Sequence, residues 1–189
     1  MTDRIQIEWR DLRAIEPLPD EIARHAGALA AAYNEPRNSA LLGHIEPMSQ
    51  TDVVEHYASL DAQGARPFVL VRDELLAGDG DLRGITNRVA EFAFLIASPD
   101  AQGKGLGTRF AIMVHAFAFT RLELDRVYAS VVPGNVASRR VFDKLGYALD
   151  DGEVARGFAD LGDVVLSIDR DTFERRHAAA LGEIVIASR

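Results

Sequence analysis

The stretch Gln102-Gly103-Lys104-Gly105-Leu106-Gly107-Thr108 lies between two apolar segments. Before it, residues 91–96 have the composition of a buried strand, which Pro99 ends because proline cannot donate to a sheet. After it, the segment up to about Leu122 is apolar around its whole circumference, which predicts a helix buried against a sheet. Glycines at the start of such a helix leave backbone N–H groups open to an anion at the positive end of the helix dipole. The stretch therefore predicts a phosphate-binding turn.

Three nucleotide-binding patterns compete for this turn. A Walker loop requires four residues between its first glycine and Gly-Lys-Ser/Thr, and the turn lacks that spacing. A dinucleotide fingerprint requires glycine or alanine where Thr108 stands, although a nicotinamide-nucleotide site stays open as an alternative. The Gln/Arg-x-x-Gly-x-Gly/Ala loop of acyl-CoA-binding proteins is matched at every required position, by Gln102, Gly105 and Gly107.

A second motif follows the next predicted strand, which covers residues 127–132. The segment 135–147 begins with Asn-Val-Ala-Ser and ends with Lys-Leu-Gly-Tyr. Together with Glu91 and the glycine turn, it resembles the GNAT superfamily of acetyl-CoA-dependent N-acetyltransferases. Within that superfamily it is most similar to the ribosomal-protein N-terminal acetyltransferases (the RimJ/RimL-like branch). The resemblance covers residues 91–149 in the order and spacing of the superfamily.

The resemblance implies an α+β fold of GNAT type, with a mixed, mostly antiparallel sheet of about seven strands and about four flanking helices. Two central parallel strands, residues 91–98 and 127–132, are expected to splay apart. Acetyl-CoA, the implied co-substrate, would lie in the gap and pair with backbone groups that would otherwise lack partners. The implied cofactor-binding residues are Ile96, Ala97 and Ser98 beside the pantetheine, Gln102, Gly103, Lys104, Gly105, Leu106, Gly107 and Thr108 beside the pyrophosphate, and Asn135, which can also cap a helix.

The resemblance also implies direct transfer of the acetyl group to a primary amine. Glu91 matches a catalytic glutamate, and desolvation in an apolar strand is expected to raise its pKa toward the range useful for a general base. A strand N–H close to Ala97 is expected to stabilise the oxyanion. In many members a tyrosine at the position of Phe142 acts as the general acid. Since phenylalanine cannot take that role, Ser138 is expected to form a hydrogen bond with the leaving sulfur. Because Phe142 cannot donate a proton, a non-catalytic domain that binds acyl-CoA as a sensor or scaffold is the alternative.

The rest of the chain predicts a single acyltransferase domain over residues 1–170, with a helix and strand extension over residues 171–189. Proline and glycine predict a long loop over residues 34–50, expected to lie over the acceptor site. The sequence Ala-Gly-Asp-Gly at residues 77–80 predicts a turn between two strands.

Composition narrows the functional classes further. The chain has 189 residues, no cysteine and a net charge of −8. The lack of cysteine excludes disulfides and thiolate nucleophiles, and no close histidine pair indicates a metal, so none is expected. The acidic balance argues against nucleic acid and is compatible with a cationic amine on a small molecule or peptide. The chain shows no apolar signal core and no apolar stretch long enough to span a bilayer, so we expect a cytoplasmic protein without a membrane partner. The sequence leaves open whether the protein forms a homodimer.

Overall fold

The computed structural model describes residues 3–42, 46–97, 102–159 and 162–189, so Ser98 lies outside the described residues. The strands are β1 (Ile5–Trp9), β2 (Leu12–Ile15), β3 (Arg66–Arg72), β4 (Leu75–Thr86), β5 (Val89–Ile96), β6 (Arg126–Val131), β7 (Ala148–Leu149), β8 (Val164–Asp169) and β9 (Val185–Ser188). The helices are α1 (Pro19–Asn34), α2 (Pro36–Leu41), α3 (Gln50–Ala62), α4 (Leu106–Thr120), α5 (Val136–Leu145), α6 (Glu153–Arg156) and α7 (Arg170–Leu181).

The strands form one sheet, in the order β7-β8-β6-β5-β4-β3-β2-β1-β9, with helices on both faces. Successive strand residues point to opposite faces, and β3 separates two cores in this way. Phe68 and Leu70 face the core that surrounds α4, whereas Val69 and Val71 face the core formed with α1 and α3. As the sequence predicts, α4 is buried almost all round.

The two central strands splay apart, as the family resemblance implies. β5 and β6 are the sheet's one parallel pair among the described residues, and they pair only from Val89 to Glu91 and from Arg126 to Tyr128. Beyond Glu91, β5 stays paired with β4, while beyond Tyr128, β6 stays paired with β8. Phe142 of α5 packs against the β5 phenylalanines near the opening. The strands therefore diverge toward their carboxyl ends and leave a gap in the sheet.

The predicted turn at residues 77–80 is wrong, because β4 runs straight through it. Gly78 and Gly80 lie where β4 comes close to the β5 backbone: a Cβ on Gly80 would also stand 3.0 Å from the ring of Phe110 in α4. Asp79 and the following Asp81 point to the opposite face. The glycines allow the backbones of β4 and β5 to approach closely. Glycine and aspartate alternate because successive residues of a strand face opposite sides of the sheet.

The structure also holds more elements than the sequence predicts. The described residues contain nine strands and seven helices, and residues 36–41 of the predicted loop form α2. The additional elements include β2, α2 and α6, which are so short that their hydrophobic pattern does not distinguish them from loops. Their existence depends on neighbours that the sequence pattern does not show.

The C-terminal residues pack onto the same sheet. β9 pairs antiparallel with β1, and Phe173 of α7 is fully buried in the main core. The Trp9 indole N–H donates to Glu183 Oε2 at 2.9 Å. Within the described segments, no helix has the length and apolar character needed to cross a membrane.

Candidate active site

Two cavities meet above the gap between β5 and β6. The first, here called the glycine-turn cavity, has a volume of about 250 Å³ and lies between residues 102–108 and α5. The second, here called the acidic cavity, has a volume of about 320 Å³ and lies over β4 and β5. Six residues line both cavities and define the junction between them: Leu41, Leu42, Phe94, Leu95, Asn135 and Ser138.

The glycine turn has the backbone form that an anion site needs. Gly103 and Gly105 have φ angles of 75° and 81°, and a Cβ on either would have no neighbour within 4 Å. Gly105 is the N-cap of α4, so the first N–H groups of a long helix open at this point. Gly107 lies against Phe94, where its missing side chain lets α4 approach β5.

The turn residues predicted from sequence divide into two groups. Gln102, Gly103, Gly105, Gly107 and Thr108 line the glycine-turn cavity. The Lys104 side chain is exposed and Leu106 is buried in the main core, so neither side chain is among the residues that line the cavity.

Gln102 connects the turn to α2. Its Nε2 donates to Asn38 Oδ1 at 3.0 Å and to the carbonyl of Ile96 at 3.2 Å. Asn38 is fully buried and donates its own amide to the carbonyl of Ala32 at 2.9 Å. The sequence pattern did not single out Asn38, because its contact spans a long stretch of chain.

The backbone of β5 presents polar groups to the gap. Alternate residues of an antiparallel strand direct their N–H and C=O groups to opposite sides. The Ala97 N–H donates to the carbonyl of Ala77 at 2.9 Å, so this donor points to β4 and is not available for the predicted oxyanion role. By the same alternation Leu95 also points to β4, whereas Phe94 and Ile96 direct their backbone groups into the gap.

The start of α5 brings two further predicted residues to the junction. Asn135 caps the helix, accepting the Ser138 N–H on Oδ1 at 3.0 Å, and its Nδ2 donates to the carbonyl of Leu41 at 3.2 Å. Ser138 is half-buried and lines both cavities. Phe142, one helical turn further on, is buried among aromatic rings.

Two cations of α5 line the glycine-turn cavity. Arg140 and Lys144 lie four residues apart, hence on one face of the helix. Neither residue is among the cofactor-binding residues that the family resemblance implies. The cavity therefore joins open backbone N–H groups to two positive side chains.

The charged side chains that line the acidic cavity are mostly negative. Asp79 and Asp81 of β4, Glu91 of β5 and Asp163 before β8 line it, together with one arginine, Arg83. Glu91 is half-buried and stands opposite Arg83 in the strand register. Of these carboxylates the sequence analysis identified only Glu91; Asp79 lies in the segment predicted to be a turn, and Asp81 directly follows it.

The two aspartates have different partners. Arg83 binds Asp81 with two hydrogen bonds, of 2.6 Å and 2.5 Å. Asp79, 5% exposed, instead accepts the hydroxyl groups of Tyr33 and Tyr57 on the same oxygen, Oδ2. Burial raises the pKa of Asp79 to about 6, although the two tyrosine hydrogen bonds act in the opposite direction. Asp79 therefore changes its charge close to neutral pH.

Asp79→Asn is expected to stabilise the protein at pH 7.5 but not at pH 4. The folded-state pKa of about 6 exceeds the ordinary value of 3.8, so the folded state holds its proton longer and loses stability as pH rises through 6. That loss amounts to roughly 3 kcal/mol at most. Urea unfolding of both proteins at the two pH values measures it. A difference between variant and wild type that does not change with pH would contradict the assignment.

Sequence and structure comparisons agree with this geometry. Residues 15–148 match the acetyltransferase (GNAT) domain family, and the chain belongs to that family. Spermidine N(1)-acetyltransferase of Escherichia coli K12 is 34% identical over 119 residues, which are 62% of this chain and 63% of that protein. The match thus spans less than two thirds of the relative's length.

Solved structures show the same fold. RimJ of Mycobacterium smegmatis, in complex with CoA-disulfide, superposes with a TM-score of 0.73 at 20% identity and covers 96% of each chain. Spermidine N-acetyltransferase of Vibrio cholerae, in complex with CoA and spermine, gives a TM-score of 0.70 at 20% identity over 86% of this chain and 98% of that one.

Proposed function

We propose that the protein transfers the acetyl group of acetyl-CoA to a primary amine by direct attack in a ternary complex. The observation that carries the proposal is the junction, where an anion-binding cavity and an acidic cavity open onto the same residues of β5 and α5. A group held in one cavity can there react with a group held in the other.

The glycine-turn cavity fits the phosphate end of acetyl-CoA. The open N–H groups of residues 102–108 would bind the pyrophosphate at the start of α4. Arg140 and Lys144 would add charge. The pantetheine amides would pair with the backbone of Phe94 and Ile96, as an added strand does, which brings the thioester to the junction.

The acidic cavity fits a cationic amine. Several carboxylates face a single arginine there, so the cavity favours an ammonium group over a neutral or anionic acceptor. Relatives named for spermidine and neighbours named for aminoglycosides are consistent with this class. We propose that the acceptor is a polyamine, an amino sugar or a protein N-terminus that enters as an ammonium ion.

The reaction requires three functions at the junction. The ammonium loses a proton, the neutral amine forms the N–C bond, and the C–S bond breaks as the thiolate leaves and takes up the second proton that the nitrogen loses. The Phe94 N–H is the donor we assign to the oxyanion, since it points into the gap. Ser138, which lines both cavities, is the residue we assign as donor of a hydroxyl hydrogen to the leaving sulfur. Glu91, which precedes Phe94 in β5, accepts a proton from the ammonium group through water.

Ser138→Ala is expected to lower kcat about 10- to 100-fold while the Kd of acetyl-CoA stays unchanged, because a hydrogen bond to a charged leaving group acts only as charge develops. Steady-state kinetics and calorimetric titration measure the two quantities. Ser59→Ala, an exposed serine of α3, is the matched control. Wild-type kcat in Ser138→Ala would remove this residue from the reaction.

The function itself is tested by incubating the protein with acetyl-CoA and a panel of amines. Mass spectrometry is expected to show an acceptor heavier by one acetyl group, with release of one equivalent of free CoA thiol. Binding of acetyl-CoA without thiol release for any amine would favour an acyl-CoA sensor. Stabilisation by NAD rather than CoA in a thermal-shift comparison would favour a nicotinamide-nucleotide site.

We also propose a cytoplasmic location, because the reaction consumes acetyl-CoA and the cysteine-free chain suits a reducing compartment. Fractionation of cells that express the tagged protein tests the location, and light scattering of the purified protein tests for a homodimer.

A further inference from the structure

The strand register shows which carboxylate lies nearest the junction. On β5 the junction residues are Phe94 and Leu95. Asp79 stands directly opposite Leu95, whereas Glu91 stands opposite Arg83. Opposite residues of an antiparallel pair have Cα atoms about 5 Å apart and side chains on the same face. Glu91 is three residues from Phe94, the nearer of these two junction residues, which corresponds to about 10 Å along the strand, so Glu91 lies further from the junction than Asp79 does.

The hydrogen bonds of the aspartates distinguish them chemically. Asp81 is bound on both oxygens by the guanidinium of Arg83, so its acceptor atoms are already occupied. Asp79 is held by two neutral hydroxyls, from Tyr33 and Tyr57, and both bind Oδ2. The neutral donors fix the orientation of the carboxyl group without supplying the positive charge that would hold it ionised.

We propose that Asp79 is the general base that takes the proton directly from the acceptor's ammonium group, and that Glu91 acts behind it through water. The inference rests on the proposed function. In the step, an N–H bond of the ammonium breaks, its proton binds an oxygen of Asp79, and the nitrogen lone pair attacks the thioester carbon. As the C–S bond breaks, the thiolate leaves with its electron pair and takes up the second proton, which the new amide nitrogen loses. Asp79 returns the first proton to solvent.

The surroundings of Asp79 set the pH at which it can act. Burial in this cavity gives it a pKa of about 6, so it is mostly ionised and still basic at neutral pH. The titratable and charged groups that share the cavity or act on Asp79 are Tyr33 on α1, His56 and Tyr57 on α3, Asp81 and Arg83 on β4, Glu91 on β5 and Asp163 before β8. Burial lowers the pKa of His56, which favours its neutral form.

The test compares Asp79→Asn and Glu91→Gln over pH 5–9, with Asp171→Asn, an exposed aspartate of α7, as the matched control. Asp79→Asn is expected to lose roughly 100-fold or more in kcat/KM and to lose the acid limb near pH 6. Glu91→Gln is expected to lose less and to keep that limb. If Asp79→Asn keeps both rate and limb while the wild type turns over, the inference is wrong and the proposed function stands.

Tyr33→Phe provides a second, milder variant. Its hydroxyl lowers the pKa of Asp79, so removing it is expected to move the acid limb to higher pH while the rate on the plateau is largely kept. A limb that stays in place would count against Asp79 as the titrating base. A wild-type protein that binds acetyl-CoA but acetylates no amine would instead overturn the proposed function.

Discussion

Gly105→Val is expected to raise the Kd of acetyl-CoA by roughly 100-fold or more. Gly105 has a φ angle of 81°, which β-branched residues avoid, and it caps the helix whose first N–H groups form the proposed pyrophosphate site. A valine at this position either changes the backbone conformation of the turn or places its side chain over those N–H groups. Calorimetric titration of acetyl-CoA measures the loss.

A matched glycine tests whether backbone strain alone accounts for the loss of acetyl-CoA affinity. Gly64 has a φ angle of 75° and open surroundings, but it lies in the turn between α3 and β3. Gly64→Val is expected to cost similar stability and to leave the affinity for acetyl-CoA unchanged. Equal loss of affinity in both variants would mean that the glycine turn is not the binding site.

Gly78→Ala is expected to lower the free energy of unfolding by about 3 kcal/mol, at the upper end of the range for overpacking. A Cβ on Gly78 would stand 2.3 Å from the carbonyl oxygen of Leu95, a backbone atom that can move only if β4 and β5 separate. Because Leu95 also lines the junction, acetyl-CoA affinity is expected to fall with stability. Urea unfolding measures the first effect and titration the second.

Gly134 offers the control for this substitution. A Cβ there would meet no atom within 4 Å, and the residue lies in the loop before α5. Gly134→Ala is expected to change stability by less than about 0.5 kcal/mol. If Gly78→Ala is equally mild, the close packing of β4 on β5 is not what selects glycine in this strand.

Strong local signals in the sequence predicted the frame of the site. Three of these signals each come from residues that are adjacent in the sequence: the apolar circumference of α4, its glycine turn and the cap at Asn135. The structure contains all three features. The splay followed from the family resemblance rather than from hydrophobic pattern. Nothing in the local pattern of residues 89–96 indicates where pairing with β6 stops.

Contacts between distant segments account for what the sequence did not reveal. Asn38 has a role only because the side chain of Gln102, which is distant in the sequence, donates a hydrogen bond to it. The sequence did not indicate Asp79 as a site residue, because alternating glycine and aspartate are typical of a turn and only the neighbouring strand shows that this segment is part of a sheet. The edge strand β9 depends on pairing with β1 at the other end of the chain.

A crystal structure of the protein with acetyl-CoA tests the central claim most directly. The account predicts pyrophosphate density on the N–H groups of residues 102–108 and pantetheine between β5 and β6. The thioester carbon should lie within reach of both Phe94 N–H and Asp79. Coenzyme bound elsewhere, or a β5–β6 gap that closes along its whole length, would contradict it.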